Sequence, residues 1–224
     1  MTDLVPVITI DGPSGSGKGA VSARVAEALG WNVLDSGSLY RLTGLAVEKA
    51  GIGFEDLKEA ARIAENLDVR FEQWMVFLDG EDVTLAIRSE TAGNNASKVA
   101  AVPEVRAALL DWQRRAARLP GLVADGRDMG TTVFPDALLK VFLDASVEER
   151  ARRRYKQLKE KGISSNIDRL AVEIRERDGR DRSRTVSPLF PASGALIIDS
   201  TGMTIEAVVE RILQAARELL PSVD

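Results

Sequence analysis

Apolar positions follow two rhythms along this chain. Val5, Val7, Ile8 and Ile10 form a short β-branched block that breaks into glycines, after which apolar residues resume at helical spacing as far as Leu29. That pattern predicts a buried strand, a tight loop and a helix. Trp31 to Leu34 makes a second short block, and Ser38 opens another helical stretch, completing a βαβ unit. Phe54, Leu57, Ala60, Ala61, Ile63, Ala64 and Leu67 keep helical spacing over residues 54 to 67. The rhythm then changes. Residues 69–71 and 75–78 alternate or run apolar, with Asp79-Gly80 as a hairpin turn before residues 81–83, which predicts a small antiparallel insertion.

Residues 89 to 101 are rich in small and polar side chains, and Pro103 followed by Glu104 signals the start of a helix that runs to Leu119. Leu122-Val123-Ala124 and Leu138 to Leu143 predict the third and fourth strands of the core. Ser146 and Glu149 have capping-box spacing ahead of a strongly cationic helix carrying Arg150, Arg152, Arg153, Arg154, Lys156, Lys159 and Lys161. A second polar helix follows Gly162 and ends in the charge-dense run from Arg175 to Arg184. Residues 195–199 give a fifth strand, and residues 204–220 an amphipathic closing helix. The expected class is α/β, a mainly parallel five-stranded sheet with two excursions, one around residues 65–102 and one around 150–190.

Composition narrows the chemistry. The chain has 224 residues, 45% of them apolar, enough for one α/β core with insertions. It has no cysteine and no histidine, so disulfides, thiolate zinc sites, serine-hydrolase triads and histidine-metal chemistry are excluded. Proton transfer would fall to carboxylates, lysine or solvent. A net charge of -4 argues against a general nucleic-acid surface. No apolar run approaches a membrane span of about 20 residues. Met1-Thr2-Asp3 lacks the basic start of a secretory signal, so a soluble cytoplasmic protein is expected.

Candidate chemistry centres on the first loop. Gly12-x-x-x-x-Gly17-Lys18 matches the phosphate-binding P-loop pattern, with glycines at 12, 15 and 17 where backbone N–H groups must turn inward. The helix dipole and Lys18 add positive charge. Gly19 and then Ala20 stand where a hydroxyl would touch Mg2+, so the phosphate half of the motif is strong and the metal half weak. Ligands of βαβ units gather beyond the carboxyl ends of strands, which puts Asp35, Ser36, Tyr40 and Arg41 on the expected rim, together with the loop Asp125-Gly126-Arg127-Asp128-Met129-Gly130-Thr131. A cap at Ser36 or Ser38, and an internal pair between Arg127 and Asp125, are the bland alternatives. The cationic helical hairpin reads either as a solvated face or, given the P-loop, as a lid that closes over polyphosphate.

A P-loop by itself does not separate kinases from switches or motors. The guanine signature Asn-Lys-x-Asp is absent. With Ile8 to Gly15, Leu34-Asp35-Ser36-Gly37, Leu67 to Phe71, Asp125 to Thr131 and Glu176-Arg177-Asp178 through Arg184, nearly the whole chain resembles the bacterial cytidylate kinases, within the nucleoside monophosphate kinases. The resemblance implies a P-loop NTPase three-layer fold. Its core would be residues 1–64, 103–149 and 191–224, with an NMP-binding insertion at 65–102 and lid helices at 150–190. It implies transfer of the ATP γ-phosphoryl group to CMP or dCMP, with Mg2+ accompanying ATP and no confident metal ligand from the protein.

By position, Gly12, Pro13, Ser14, Gly15, Ser16, Gly17, Lys18, Gly19 and Ala20 resemble the ATP loop, and Arg41 and Arg127 resemble clamps on the CMP phosphate. Ser36, Arg177 and Asp181 resemble sugar contacts, with Gly37 and Tyr40 beside them, and Ser97, Arg106, Asp128 and Arg184 resemble base contacts. Lys18, Arg127, Arg180 and Arg182 are the expected stabilisers of transferring charge. Two departures stand out: Ala20 replaces a common Thr, and the insertion at residues 72–75 is shorter than in some relatives. Small-molecule partners and a monomer are expected, without nucleic acid or membrane. The rivals are a kinase for UMP, AMP or a non-nucleotide alcohol, and a nucleotide-binding regulator whose arginine helix grips a protein or RNA.

Overall fold

Val7–Asp11 forms β1, buried at all five positions, as its unbroken apolar character requires of a central strand. The computed structural model describes residues 5–53, 56–72, 75–160 and 162–220. Expectations for Met1 to Asp3, Phe54, Lys161 and the shortening near Gln73 and Trp74 lie outside the described residues, as does the side chain of Leu57. After β1 come α1 (Lys18–Leu29), β2 (Asn32–Asp35), α2 (Ser36–Lys49), α3 (Leu57–Glu65), β3 (Val69–Glu72), β4 (Met75–Leu78), β5 (Glu81–Asp82), α4 (Glu90–Val99) and α5 (Pro103–Arg115). The chain continues with β6 (Leu122–Gly126), a π-helical turn at Met129–Val133, β7 (Leu139–Asp144), α6 (Val147–Glu160), α7 (Ile167–Arg182), β8 (Leu196–Asp199) and α8 (Ile205–Leu219).

Two compact units result. The first joins the chain up to Leu34 with everything from Ala116 onward, and the second is Asp35–Arg115. In the first, the five strands lie in the order β2-β6-β1-β7-β8. The sheet is parallel. Ile8 and Ile10 of β1, Val141 and Leu143 of β7, and Ile198 of β8 form one apolar cluster with Val21 and Val25 of α1 and Val208 and Ile212 of α8. On the other side of β1, Gly130 comes so near Thr9 that a Cβ there would lie 2.8 Å from the threonine hydroxyl. Helices α6 and α7 also belong to this unit and share a small cluster of Ala151, Leu158 and Leu170. Half of the expected capping box forms: Ser146 Oγ accepts from the Glu149 N–H at 3.2 Å, while the Ser146 N–H donates to Thr201 Oγ1 at 2.9 Å instead of to Glu149.

In the second unit, β3, β4 and β5 make the expected antiparallel sheet. Asp79 and Gly80 both take positive φ at their turn, 51° and 80°, the conformation of a two-residue hairpin. The unit is larger than the expected excursion at 65–102, because α2 packs on α4 and α3 packs on α5. The small, polar stretch 89–101 is largely helix. Ser89 caps α4 by accepting from Ala92 N–H at 3.0 Å, and the small residues let α4 lie close against α2. A Cβ on Gly44 of α2 would sit 3.0 Å from Asn95 Cβ.

Other boundaries moved for local reasons. Asp35, rather than Ser36 or Ser38, caps α2, with Oδ1 accepting from Ser38 N–H at 3.2 Å and Oδ2 from Ser38 Oγ at 2.7 Å. The helix expected from 54 begins at Leu57 behind an Asp56 cap, and the one expected to reach Leu119 ends at Arg115.

Candidate functional site

The phosphate loop follows β1 directly. Gly12 takes φ 152°, and a Cβ there would lie 2.0 Å from the Leu143 carbonyl oxygen, so only glycine permits β1 and β7 to stay paired at this point. Gly15 and Gly17 also take positive φ, 78° and 97°. Gly17 caps α1 with its backbone alone, leaving the first N–H groups of the helix without a side-chain partner.

Lys18 is only 5% exposed. Its ammonium donates to Pro13 O at 2.8 Å and to Ser16 Oγ at 3.4 Å. Burial, with Arg127 nearby, pulls its pKa down to about 7 against the opposing pull of Asp125 and Asp11.

Asp11, the last residue of β1, reaches across to the loop after β6. Its two carboxylate oxygens accept from the N–H groups of Met129 and Gly130, each at 2.8 Å. Burial pushes its pKa up to about 6, and those two N–H bonds act in the opposite direction. The Asp125–Thr131 loop is thereby fixed beside the phosphate loop, as expected from the strand ends.

Arg127 of that loop donates from Nε to Asp181 Oδ2 at 3.0 Å, and Arg184 pairs with the other oxygen of Asp181. Burial works to raise the Asp181 pKa, but Arg127, Arg184 and Arg177 outweigh it and hold the carboxyl below its ordinary range. Asp128 is buried, 1% exposed. The first unit therefore gathers Lys18, Arg127, Arg177, Asp181 and Arg184 into one charged cluster. Arg180 and Arg182 lie on the exposed side of α7.

The remaining candidates belong to the second unit. Ser36, Gly37, Tyr40 and Arg41 occupy the first turns of α2, Ser97 lies in α4 and Arg106 in α5. Ser36, Tyr40, Ser97 and Arg106 are buried. The Arg106 guanidinium sits 5.4 Å from the Tyr40 ring centroid, a cation–π contact, and donates to Ala100 O at 3.2 Å. Arg41 donates to Ile87 O at 2.8 Å.

Sequence reasoning misplaced two arginines. Arg150 and Arg153 were expected among mobile lid cations, yet both turn toward the phosphate loop. Arg150 donates to Ser14 O at 3.0 Å and pairs in a fork with Asp178 at 3.0 and 2.6 Å, while Arg153 donates to Ser16 O at 3.1 Å. Arg152 and Lys156 do face outward, on exposed pairs with Glu149 and Glu160. Alternating charge concealed the difference. The one available signal was position, since Arg150 stands just past a capping box that follows a core strand. Among the described residues, no cluster of three or more metal-ligating side chains occurs, and no helix is long and apolar enough to cross a membrane.

The profile of the Cytidylate kinase family matches residues 8–218. A cytidylate kinase of Marinomonas sp. (strain MWYL1) is 57% identical over 217 residues, covering 95% of this chain and 96% of the relative. One from Klebsiella pneumoniae (strain 342) is 55% identical over 224 residues, covering 98% and 99%. Among solved structures, an uncharacterized protein from Eubacterium ventriosum ATCC 27560 superposes with a TM-score of 0.53 at 10% identity over 95% of this chain and 98% of its own, a likeness of fold alone. With a glycine loop over a buried lysine and matches of this extent, the chain belongs to the cytidylate kinase family and is a nucleoside monophosphate kinase.

Proposed function

We propose that the enzyme aligns ATP on the Gly12–Ala20 loop and CMP or dCMP on its guanidinium groups, and moves the γ-phosphoryl group in line between them. The observation that carries this division is the buried cluster in which Lys18 shares its surroundings with Arg127 and Arg177. A CMP phosphate oxygen is already anionic at neutral pH, so no protein base or nucleophile is required. Catalysis consists of alignment and stabilisation of spreading negative charge.

Lys18 serves the outer ATP phosphates. Arg41 and Arg127 clamp the CMP phosphate, each guanidinium able to hold two oxygens. Ser36, Arg177 and Asp181 take the sugar, while Ser97, Arg106, Asp128 and Arg184 read the base. Cytosine offers an N4 amine donor, which a carboxylate such as Asp128 accepts. Uracil presents an oxygen there and leaves that carboxylate unsatisfied. Arg180 and Arg182, exposed on α7, are the mobile cations of the set.

Magnesium accompanies ATP in this reading. Gly19 and Ala20 offer no hydroxyl, but an Asp125 oxygen lies 3.5 Å from where a Cβ of Gly19 would stand, facing the first turn of α1. One carboxylate with phosphate oxygens and water is an ordinary Mg2+ environment, so these residues fit, with Asp125 as the protein group that would hold it. The ion supplies charge neutralisation across the phosphates. The same reading has the enzyme act as a cytoplasmic monomer, without nucleic acid or membrane.

Initial rates of ADP formation from ATP and Mg2+ with CMP, dCMP, UMP and AMP test it. CMP and dCMP are expected to lead. A UMP or AMP preference of about tenfold, 1.4 kcal/mol, would overturn the base assignments. ADP formation that does not rise with any acceptor would favour a nucleotide-binding regulator.

A further inference from the structure

A phosphate loop works only if its N–H groups point inward, and in a trans peptide the carbonyl of one residue points opposite to the N–H of the next. Three carbonyl oxygens of this loop are each taken by a cation: Pro13 by Lys18 at 2.8 Å, Ser14 by Arg150 at 3.0 Å and Ser16 by Arg153 at 3.1 Å. Turning the Ser14 and Ser16 carbonyls toward the arginines sends the N–H groups of Gly15 and Gly17 the other way. Gly15 passes so close that a Cβ there would lie 3.4 Å from Arg150 Cβ.

Arg150 does more than hold one carbonyl. It is 2% exposed, and its Nε donates to Ala145 O at 2.9 Å just beyond β7. Its two terminal nitrogens donate to Asp178 Oδ1 at 3.0 Å and Oδ2 at 2.6 Å. A single guanidinium thus joins the phosphate loop, the end of a core strand and helix α7. Asp178 stands next to Arg177 and one turn before Asp181, the α7 residues of the charged cluster. A buried ion pair contributes little net stability over apolar residues of like volume, so stability alone does not account for the pair. A lysine has the charge but not the fork.

We propose that Arg150 is a positioning residue that ties the phosphate loop to α7, so that ATP in the loop and CMP at Arg127, Arg177 and Asp181 strengthen each other's binding. This rests on the ATP and CMP assignments proposed above. Coupling between two ligands is reciprocal, so one arm measures it. The experiment is calorimetric titration with CMP, with and without a saturating non-hydrolysable ATP analogue, on the parent enzyme, Arg150→Lys, Asp178→Asn and the doubly apolar Arg150→Met/Asp178→Leu.

The parent is expected to bind CMP at least about fivefold more tightly with the analogue present, and each variant to show a gain of about twofold or less. The double variant keeps packing in the core, so its thermal unfolding separates a lost tie from a lost fold. A merely structural role would lower the unfolding temperature and leave the ratio unchanged. The proposal is overturned if the parent shows less than about a twofold gain, or if the folded variants keep the parent's ratio. A parent that binds neither nucleotide would overturn the functional reading as well, a result distinct from binding both without mutual effect.

Discussion

Lys18 in the free protein carries its proton weakly, and ATP binding must restore it. Its pKa is lowered to about 7, first by burial and then by Arg127, with Asp125 and Asp11 opposing. At pH 8 a group of this kind is neutral in roughly nine molecules of ten, and at pH 6 in roughly one of ten. A triphosphate laid against the ammonium reverses the balance, because opposite charge within a few ångströms favours the charged form. Binding should therefore take up about 0.9 proton at pH 8 and about 0.1 at pH 6.

The sign of the affinity change follows: the free protein binds fewer protons than the complex above pH 7. ATP affinity should then fall by up to about tenfold per pH unit there. Calorimetry of Mg2+-ATP binding at pH 8 in two buffers of different ionisation enthalpy reads the uptake directly, since the ATP phosphates are fully ionised at that pH. Lys18→Met should abolish it. Uptake below about 0.2 proton at pH 8, or equal uptake in the variant, would refute the reasoning.

Two further outcomes test the geometry. Gly12→Ala places a methyl 2.0 Å from the Leu143 carbonyl, where about 3.5 Å is needed. The β1–β7 pairing must open by more than an ångström, a cost on the order of 3 kcal/mol, so the unfolding temperature should drop by roughly 6–12 °C. A drop under about 2 °C in differential scanning calorimetry would contradict this. Asp128→Ala should lower the CMP-over-UMP rate ratio by roughly fivefold or more, the discrimination carried by one good base contact. Equal losses on both acceptors would make Asp128 a scaffold residue.

The central strands β1 and β6 were legible because their apolar blocks are buried at every position, and several helices because they carry their caps, as at Ser146 and Thr204. The phosphate loop was legible because glycine alone tolerates the φ values found at 12, 15 and 17. Helix α4 was hidden by its small polar residues, whose value lies in close approach to Gly44 and not in an apolar stripe. Asp11 and Asp178 were hidden for another reason. A carboxylate at the end of a strand or within a charged helix shows no partner in one dimension, and both of theirs, the Met129 and Gly130 amides and Arg150, are distant along the chain. Arg177 and Asp181 lie four apart on α7 and Arg184 just beyond its end, all turned at least partly inward, whereas Arg180 and Arg182 are exposed, a difference the charge run does not reveal.

The central claim is that the two nucleotides are held by different cations, the ATP phosphates by Lys18 and the CMP phosphate by Arg127. Calorimetric titration of CMP into Lys18→Ala and Arg127→Ala, alongside the parent, tests it most directly. CMP affinity is expected to stay within about twofold of the parent in Lys18→Ala, although transfer is abolished, and to fall by about tenfold or more in Arg127→Ala. CMP affinity lost in Lys18→Ala, or kept in Arg127→Ala, would contradict the account.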